Sequence, residues 1–120
     1  MSGFIIGRIK SIKYAVKGFF LLLTTENAII TQSAFALIFT ALGFYLEIDR
    51  VDWALQILAI GLVLSIESLN TAVEKICDFI HPDYHEKIGF IKDVASGAVT
   101  FAALTAFAIG ILIYGRFLIE

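Results

Sequence analysis

Residues 53–74, WALQILAIGLVLSIESLNTAVE, form an apolar run whose only charge before Glu74 is Glu67. The run has about the length that a helix needs to cross a hydrocarbon core of ~30 Å. At about 100° per residue, Glu67, Asn70, Glu74 and the later Asp78 lie on one stripe of that helix. A charge at the centre of a spanning helix costs roughly 2.5–3.5 kcal/mol on insertion scales, so the stripe predicts a site.

The composition of the whole chain indicates an integral membrane protein. Of its 120 residues, 59% are hydrophobic, and the mean hydropathy of +0.90 is rarely reached by a soluble domain of this size. Two further runs without charge cover residues 27–46 and 94–115. Their lengths suit spanning helices, and no stretch alternates polar and apolar residues as barrel strands do.

The segment before the first span is predicted to form an amphipathic helix over residues 4–24 that lies on the membrane surface. Apolar residues recur every three or four positions, as in Ile5, Ile9 and Ile12, while lysines lie mainly off that stripe. Spanning helices are expected at 28–47, 53–73 and 94–116, the second continuing to about residue 80. We therefore expect an all-α integral membrane protein with a single domain, residues 1–120.

The distribution of positive charge predicts the orientation in the membrane. Of the nine Lys and Arg residues, four precede the first span and three lie between the second and third. Because positive residues concentrate on the cytoplasmic side, the N-terminus and the Glu74 end of the stripe should be cytoplasmic. The net charge of −2 adds little, and we expect no nucleic-acid partner.

The polar stripe allows several roles. Glu67, Asn70 and Glu74 could bind a divalent cation, relay protons, or combine a general base with a metal ligand. A structural alternative is that they hold helices together, with the acids neutralised or paired to lysines. A small proton-coupled transporter would use Glu67 as its relay, but it needs a polar path, and the other two spans carry no charge.

Other polar residues are expected at the same interface as Glu74. Carboxylates at Glu26 and Glu74 suit Mg²⁺, and Lys92, beside Asp93, suits phosphate. His81 and His85 are four residues apart, but Pro82 lies between them and no zinc site is expected. Neither common glycine-rich phosphate-binding motif occurs, so a nucleotide site here would not belong to one of the common folds.

The sequence resembles the prokaryotic diacylglycerol kinases, small three-span membrane enzymes that include undecaprenol kinases. The resemblance is carried by Lys17-Gly18, Glu26, Glu67-x-x-Asn70-Thr-Ala-Val-Glu74, Asp78, Tyr84-His85-Glu86, Lys92-Asp93 and Ser96-Gly97-Ala98. These align without gaps from about Tyr14 to Val99. The ExxNTAxE run, with KD eighteen residues after its last Glu, is highly specific in a three-span protein.

The resemblance implies a homotrimer in a bacterial inner membrane, with active sites shared between subunits at the cytoplasmic interface. It implies that Glu67 is the general base for a lipid hydroxyl and that Asn70 orients the catalytic groups. Glu26 and Glu74 would hold Mg²⁺ with ATP. The further ATP contacts that it implies are Arg8, Tyr14, Tyr84, His85, Lys92 and Asp93, and Ser96 falls where the family lines its lipid site.

The implied function is ATP-dependent phosphorylation of a membrane lipid alcohol, with diacylglycerol as the expected substrate and undecaprenol as the alternative. The stretches Asp52-Trp53, Asn70-Thr71 and 96–99 favour undecaprenol, whereas Tyr84-His85-Glu86 favours diacylglycerol. Two departures from the family bear on this choice. The family usually has Arg four positions after Glu26 and an acid or His six positions after, where this chain has Ile30 and Gln32.

Overall fold

Four α-helices make up nearly all of the computed structural model, which describes residues 2–119. They are α1 (Ser2–Thr25), α2 (Asn27–Leu46), α3 (Arg50–Ile80) and α4 (Glu86–Ile119). The described residues contain no strand, which confirms the all-helical expectation. Helices α2, α3 and α4 are each long and apolar enough to cross a membrane, as predicted.

A short turn joins α2 to α3 and reverses the chain. Glu47 ends α2 in the left-handed conformation, with φ 54° and ψ 50°. Its amide and that of Ile48 bond to carbonyls in the last turn of α2 at 3.3 and 3.2 Å, which satisfies that helix end. Asp49 then caps α3, because its Oδ1 accepts from the backbone N–H of Asp52 at 2.9 Å.

The connection between α3 and α4 lies at the opposite end of the bundle. Helix α3 ends at Ile80, just before His81 and Pro82, as the proline predicts. Helix α4 begins at Glu86, before the predicted span 94–116. The helix is longer than the span because a charge-free run marks only the apolar part, whereas the Glu and Lys residues before it are also good helix formers.

Helices α3 and α4 pack antiparallel, and ion pairs at both ends fix their register. Lys92 Nζ lies 2.7 Å from Asp78 Oδ1 at one end, and Arg116 pairs with Asp52 at the other. Interpolation between these pairs places Glu67 roughly level with Ala102 of α4, which is 3% exposed. The small alanine lets the two helices approach closely at this level.

A single copy of the chain buries few of its apolar side chains. Helix α1 buries none of its residues and contacts mainly α2. Large apolar side chains on all four helices are exposed, including Phe19, Leu37, Phe101 and Leu112. Such surface is normal for residues that face lipid or other subunits, and unusual for a monomer in water.

Candidate active site

Two ion pairs bring three elements together at the end of the bundle where α3 meets α4. Glu26, between α1 and α2, has Oε1 3.2 Å from Nζ of Lys75 on α3. Asp78, one turn further along α3, accepts from Lys92 of α4 at 2.7 Å. The segments around Glu26, Glu74 and Lys92 therefore lie at the same end of the bundle.

Three polar side chains before Glu74 on α3 are buried within the bundle. Glu67 is 9% exposed, and Asn70 and Thr71 are each 8% exposed. The Asn70 amide nitrogen donates to Glu74 Oε1 at 3.3 Å, one turn along the helix. Its carbonyl oxygen is buried and accepts no hydrogen bond within residues 2–119. A buried acceptor without a donor is costly, so this oxygen is suited to a ligand or a further group.

Glu74 lies on the same stripe of α3 as Glu67, yet its side chain is exposed. At about 100° per residue the two positions differ by only about 20° in azimuth, so both face the interior side of the helix. The bundle must therefore open at the level of Glu74. The register places this level near Ala95 and Ser96 of α4, which both have small side chains.

The acidic residues at this opening do not form an all-protein metal cage within residues 2–119. No group of three or more His, Cys, Asp and Glu that could hold a metal occurs in the part of the chain that the structure describes. Mg²⁺ is usually held by one or two carboxylates, with phosphate oxygens and water completing its shell. Glu26 and Glu74 could supply such carboxylates, and the open position of Glu74 leaves room for phosphate.

Lys92 and Asp93, near the start of α4, differ in that only the lysine forms an ion pair within the described residues. Lys92 is bound to Asp78, and its side chain is 37% exposed. Asp93 is exposed and forms no ion pair within residues 2–119. Lys92 would have to leave Asp78, wholly or in part, to reach a phosphate.

The loop between α3 and α4 holds two of the sequence-predicted residues. The Tyr84 ring lies against Gly89 in the first turn of α4, where a Cβ would be 3.3 Å from Tyr84 Cε2. His85 Nδ1 accepts from the Lys87 backbone N–H at 3.0 Å, in the manner of a helix cap. Its ring centroid is 5.2 Å from that of His81. Both Tyr84 and His85 are exposed at the end that carries Glu74.

Arg8 and Tyr14 lie apart from this cluster, whereas Ser96 lies roughly level with Glu74. Arg8 and Tyr14 are exposed on α1, about 27 and 18 Å along the helix from Glu26 at 1.5 Å per residue. Arg8 lies over the ring of Phe4, with 5.5 Å between Cζ and the ring centroid. Ser96 is exposed on α4, and its carbonyl accepts from Thr100 at 3.2 Å.

Lys75 is the residue at this end that the sequence does not single out. In the sequence it is one of three positive residues after the second span, with nothing to indicate its partner. Its contact with Glu26 joins positions 49 residues apart, which helical periodicity within either segment cannot reveal. Only the packing of α2 against α3 brings the two together.

Comparison with known proteins identifies the family. The sequence profile described as prokaryotic diacylglycerol kinase matches residues 13–114. The chain is 34% identical over 105 residues to the undecaprenol kinase of Bacillus subtilis, covering 88% of this chain and 85% of that protein. It is 33% identical over 98 residues to the diacylglycerol kinase of Escherichia coli, covering 82% and 80%. Over 94 residues it is 35% identical to the diacylglycerol kinase of Haemophilus influenzae, covering 78% and 80%. The chain belongs to the prokaryotic diacylglycerol kinase family, a family of lipid kinases.

Proposed function

We propose that this lipid kinase transfers the γ-phosphoryl group of MgATP to diacylglycerol, giving phosphatidic acid at the cytoplasmic face of a bacterial inner membrane. The observation that carries the proposal is the sequence of environments along α3. A buried acid, Glu67, is followed by a buried amide, Asn70, and then by an acid at an opening of the bundle, Glu74. A lipid alcohol needs an apolar environment and a water-soluble nucleotide needs an open one, and the two environments must be neighbours for transfer to occur.

Glu67 is proposed as the general base. Its side chain is buried seven residues before Glu74, inside the apolar part of the helix and one turn from Val63 and Leu64, which line the groove described below. An alcohol is a weak nucleophile, and a carboxylate within hydrogen-bonding reach accepts its proton as the new P–O bond forms. Asn70, between the two acids, is proposed to orient Glu74 and the reacting groups.

Glu26 and Glu74 are proposed to hold Mg²⁺, which neutralises phosphate charge when it is bound with ATP. Lys92 is proposed to bind phosphate as a compact point charge, with Asp93 beside it. Tyr84 and His85 are proposed to contact the nucleotide from the loop at the same end of the bundle. Phosphoryl transfer depends mainly on positioning and charge stabilisation, which this set of residues can supply.

Arg8 and Tyr14 enter the proposal through a homotrimer. Within one chain they lie apart from the cluster, and α1 has an exposed apolar side with lysines around it. We propose that α1 lies on the cytoplasmic membrane surface and brings these two residues to the site of a neighbouring subunit. The unburied apolar faces of α2, α3 and α4 support an assembly of this kind.

Gln32 and Ser96 bear on lipid recognition. Gln32 lines a mostly apolar groove of about 910 Å³ together with Val63 and Leu64, which lie one turn before Glu67 on α3. Its Oε1 is buried and accepts no hydrogen bond within residues 2–119. We propose that the groove receives a lipid chain, and that Gln32 and the exposed Ser96 contribute to substrate choice.

Undecaprenol is the second candidate substrate. The relative from Bacillus subtilis is named undecaprenol kinase and matches at 34% identity, whereas the Escherichia coli diacylglycerol kinase matches at 33%. The identities do not separate the two lipids, and neither does the groove, because its apolar lining suits acyl and prenyl chains alike.

The test is a direct assay of the full chain in mixed micelles with labelled ATP and either dioleoylglycerol or undecaprenol at equal mole fraction. We expect kcat/KM for dioleoylglycerol to exceed that for undecaprenol. A higher value for undecaprenol would overturn the choice of substrate. The absence of phosphorylation of both lipids, with MgATP bound, would overturn the proposed reaction. Gln32→Glu, which restores an acid, should change the ratio of the two kcat/KM values.

A further inference from the structure

We propose that Lys75 is a positioning residue that pairs with the Glu26 carboxylate. Its ammonium group leaves the carboxylate when a divalent cation binds there. The inference rests on the proposed function, because it takes Glu26 as a metal ligand. It gives Lys75 two opposed effects: competition with the metal for Glu26, and attraction of the phosphate groups that arrive with the metal.

The first observation concerns the direction of the Glu26 side chain. Glu26 is the N-cap residue of α2, in an extended conformation with φ −99° and ψ 110°. Its side chain makes no capping hydrogen bond to α2, although free N–H groups in a first helical turn attract carboxylates. Instead Oε1 lies 3.2 Å from Lys75 Nζ on α3. The carboxylate is thus directed across the helix interface and toward the segment that carries Glu74.

The second observation is the contrast in exposure within this pair. The Glu26 side chain is 25% exposed, whereas that of Lys75 is 69% exposed. The acid is held near the opening of the bundle, and the lysine reaches it from solvent on a flexible stem. An exposed pair of this kind has little net stability, so the ammonium can leave at small cost.

Electrostatics then determines the exchange. An ammonium group and a divalent cation on the same carboxylate repel each other, so one displaces the other. Lys75 directly follows Glu74, the second proposed ligand, and after displacement its three donors remain near the metal site. Lys92 differs, because its partner Asp78 is not a proposed metal ligand.

The test uses Mn²⁺ alone as the probe, without nucleotide, and the full chain in detergent micelles at low ionic strength. Free Mn²⁺ is measured by electron paramagnetic resonance. Lys75→Met keeps an unbranched side chain that is one atom shorter and removes its charge, and should tighten Mn²⁺ binding by roughly two- to fivefold. Lys75→Arg should stay near the wild-type value. Lys87→Met is the matched control, since Lys87 forms no ion pair within residues 2–119 and should leave Mn²⁺ binding unchanged.

A double-mutant cycle with Glu26→Gln separates this inference from the function on which it rests. Glu26→Gln should weaken Mn²⁺ binding, and in that background Lys75→Met should cause no tightening. Unchanged Mn²⁺ binding in Glu26→Gln would overturn the metal assignment itself. Weaker Mn²⁺ binding by Glu26→Gln, together with Mn²⁺ binding by Lys75→Met equal to that of the wild type, would overturn only the role of Lys75.

Steady-state kinetics supply the second readout. Lys75→Met should raise KM for MgATP by roughly two- to fivefold while kcat stays within about twofold, because the phosphate loses a nearby cation. Lys75→Arg should restore KM. A purely structural role would not tighten Mn²⁺ while weakening MgATP, so equal weakening of both ligands would contradict the proposal.

Discussion

The amide of Asn70 donates to the carboxylate of Glu74 across 3.3 Å, one helical turn along α3. Asn70 is 8% exposed, whereas Glu74 is exposed, so the bond joins the interior of the bundle to its opening. A buried amide that is fixed by packing can hold a carboxylate in one orientation. In the proposed reaction, that orientation is the one in which Glu74 meets the metal.

Asn70→Ala tests this relationship. Loss of the amide leaves the Glu74 carboxylate free to rotate, and we expect the concentration of free Mg²⁺ at half-maximal rate to rise about tenfold, as is typical when a partner of a metal ligand is removed. The measurement is initial rate against free Mg²⁺ at saturating ATP. Ser68→Ala is the control, since its hydroxyl donates only to the Leu64 carbonyl, at 2.7 Å. A Mg²⁺ dependence in Asn70→Ala equal to that of Ser68→Ala would count against the proposed role.

A second polar cluster lies at the other end of the bundle, along the same groove, and should affect stability. Gln56, 5% exposed, donates from Nε2 to the Phe39 carbonyl at 3.1 Å and accepts from the Tyr114 hydroxyl. Tyr114→Phe removes a hydroxyl that contacts both Gln56 Oε1 and the Phe39 carbonyl, in a cluster that links α2, α3 and α4. We expect a loss of about 0.6–1 kcal/mol in unfolding free energy.

The measurement for Tyr114→Phe is reversible unfolding in mixed micelles with increasing sodium dodecyl sulfate. Tyr45→Phe is the matched control, because Tyr45 is 82% exposed and makes no hydrogen bond through its hydroxyl within residues 2–119. Equal stability of Tyr114→Phe and Tyr45→Phe would contradict the stabilising role of the cluster.

Gly43 is the glycine whose replacement should cost most. A Cβ at this position would lie 2.8 Å from Trp53 Cη2 and 3.1 Å from Ile48 Cδ1, at the turn between α2 and α3. Such overpacking typically costs about 1–3 kcal/mol, and we expect Gly43→Ala to lower the unfolding free energy by that amount.

Gly61→Ala is the comparison for Gly43→Ala, since a Cβ at Gly61 meets nothing within 4 Å. Alanine is the better helix former, so this variant should be as stable as the wild type or slightly more stable. The same unfolding measurement serves both variants. Trp53→Phe in the Gly43→Ala background should recover part of the loss, and equal stability of the two single variants would contradict the packing argument.

The sequence predicts the helical architecture well because apolar length and Pro82 constrain it locally. It also places Glu67, Asn70 and Glu74 on one stripe, since helical periodicity alone determines their azimuth. It does not predict that Asp78 pairs with Lys92, nor that Gln56 meets Tyr114, because each contact depends on the register of α3 against α4. A lone Gln in an apolar run carries no signal of a partner 58 residues away.

Helical periodicity also does not predict which side chains of the stripe are exposed to solvent. Glu67 and Glu74 have nearly the same azimuth on α3, yet only Glu67 is buried. The difference depends on packing between helices, which periodicity within α3 does not determine. Arg8 and Tyr14 reach the site only through the proposed assembly, since helix α1 of the same chain does not bring them there.

The most direct measurement is single-turnover phosphoryl transfer by Glu67→Gln, with MgATP affinity determined on the same protein. The substitution keeps the shape of the buried side chain and removes the proton acceptor. If Glu67 is the general base, the rate falls by about 10²–10⁴-fold while the dissociation constant for MgATP stays within about twofold of the wild-type value. A rate within about threefold of the wild type, with the same MgATP affinity, would contradict the assignment of Glu67 as the base.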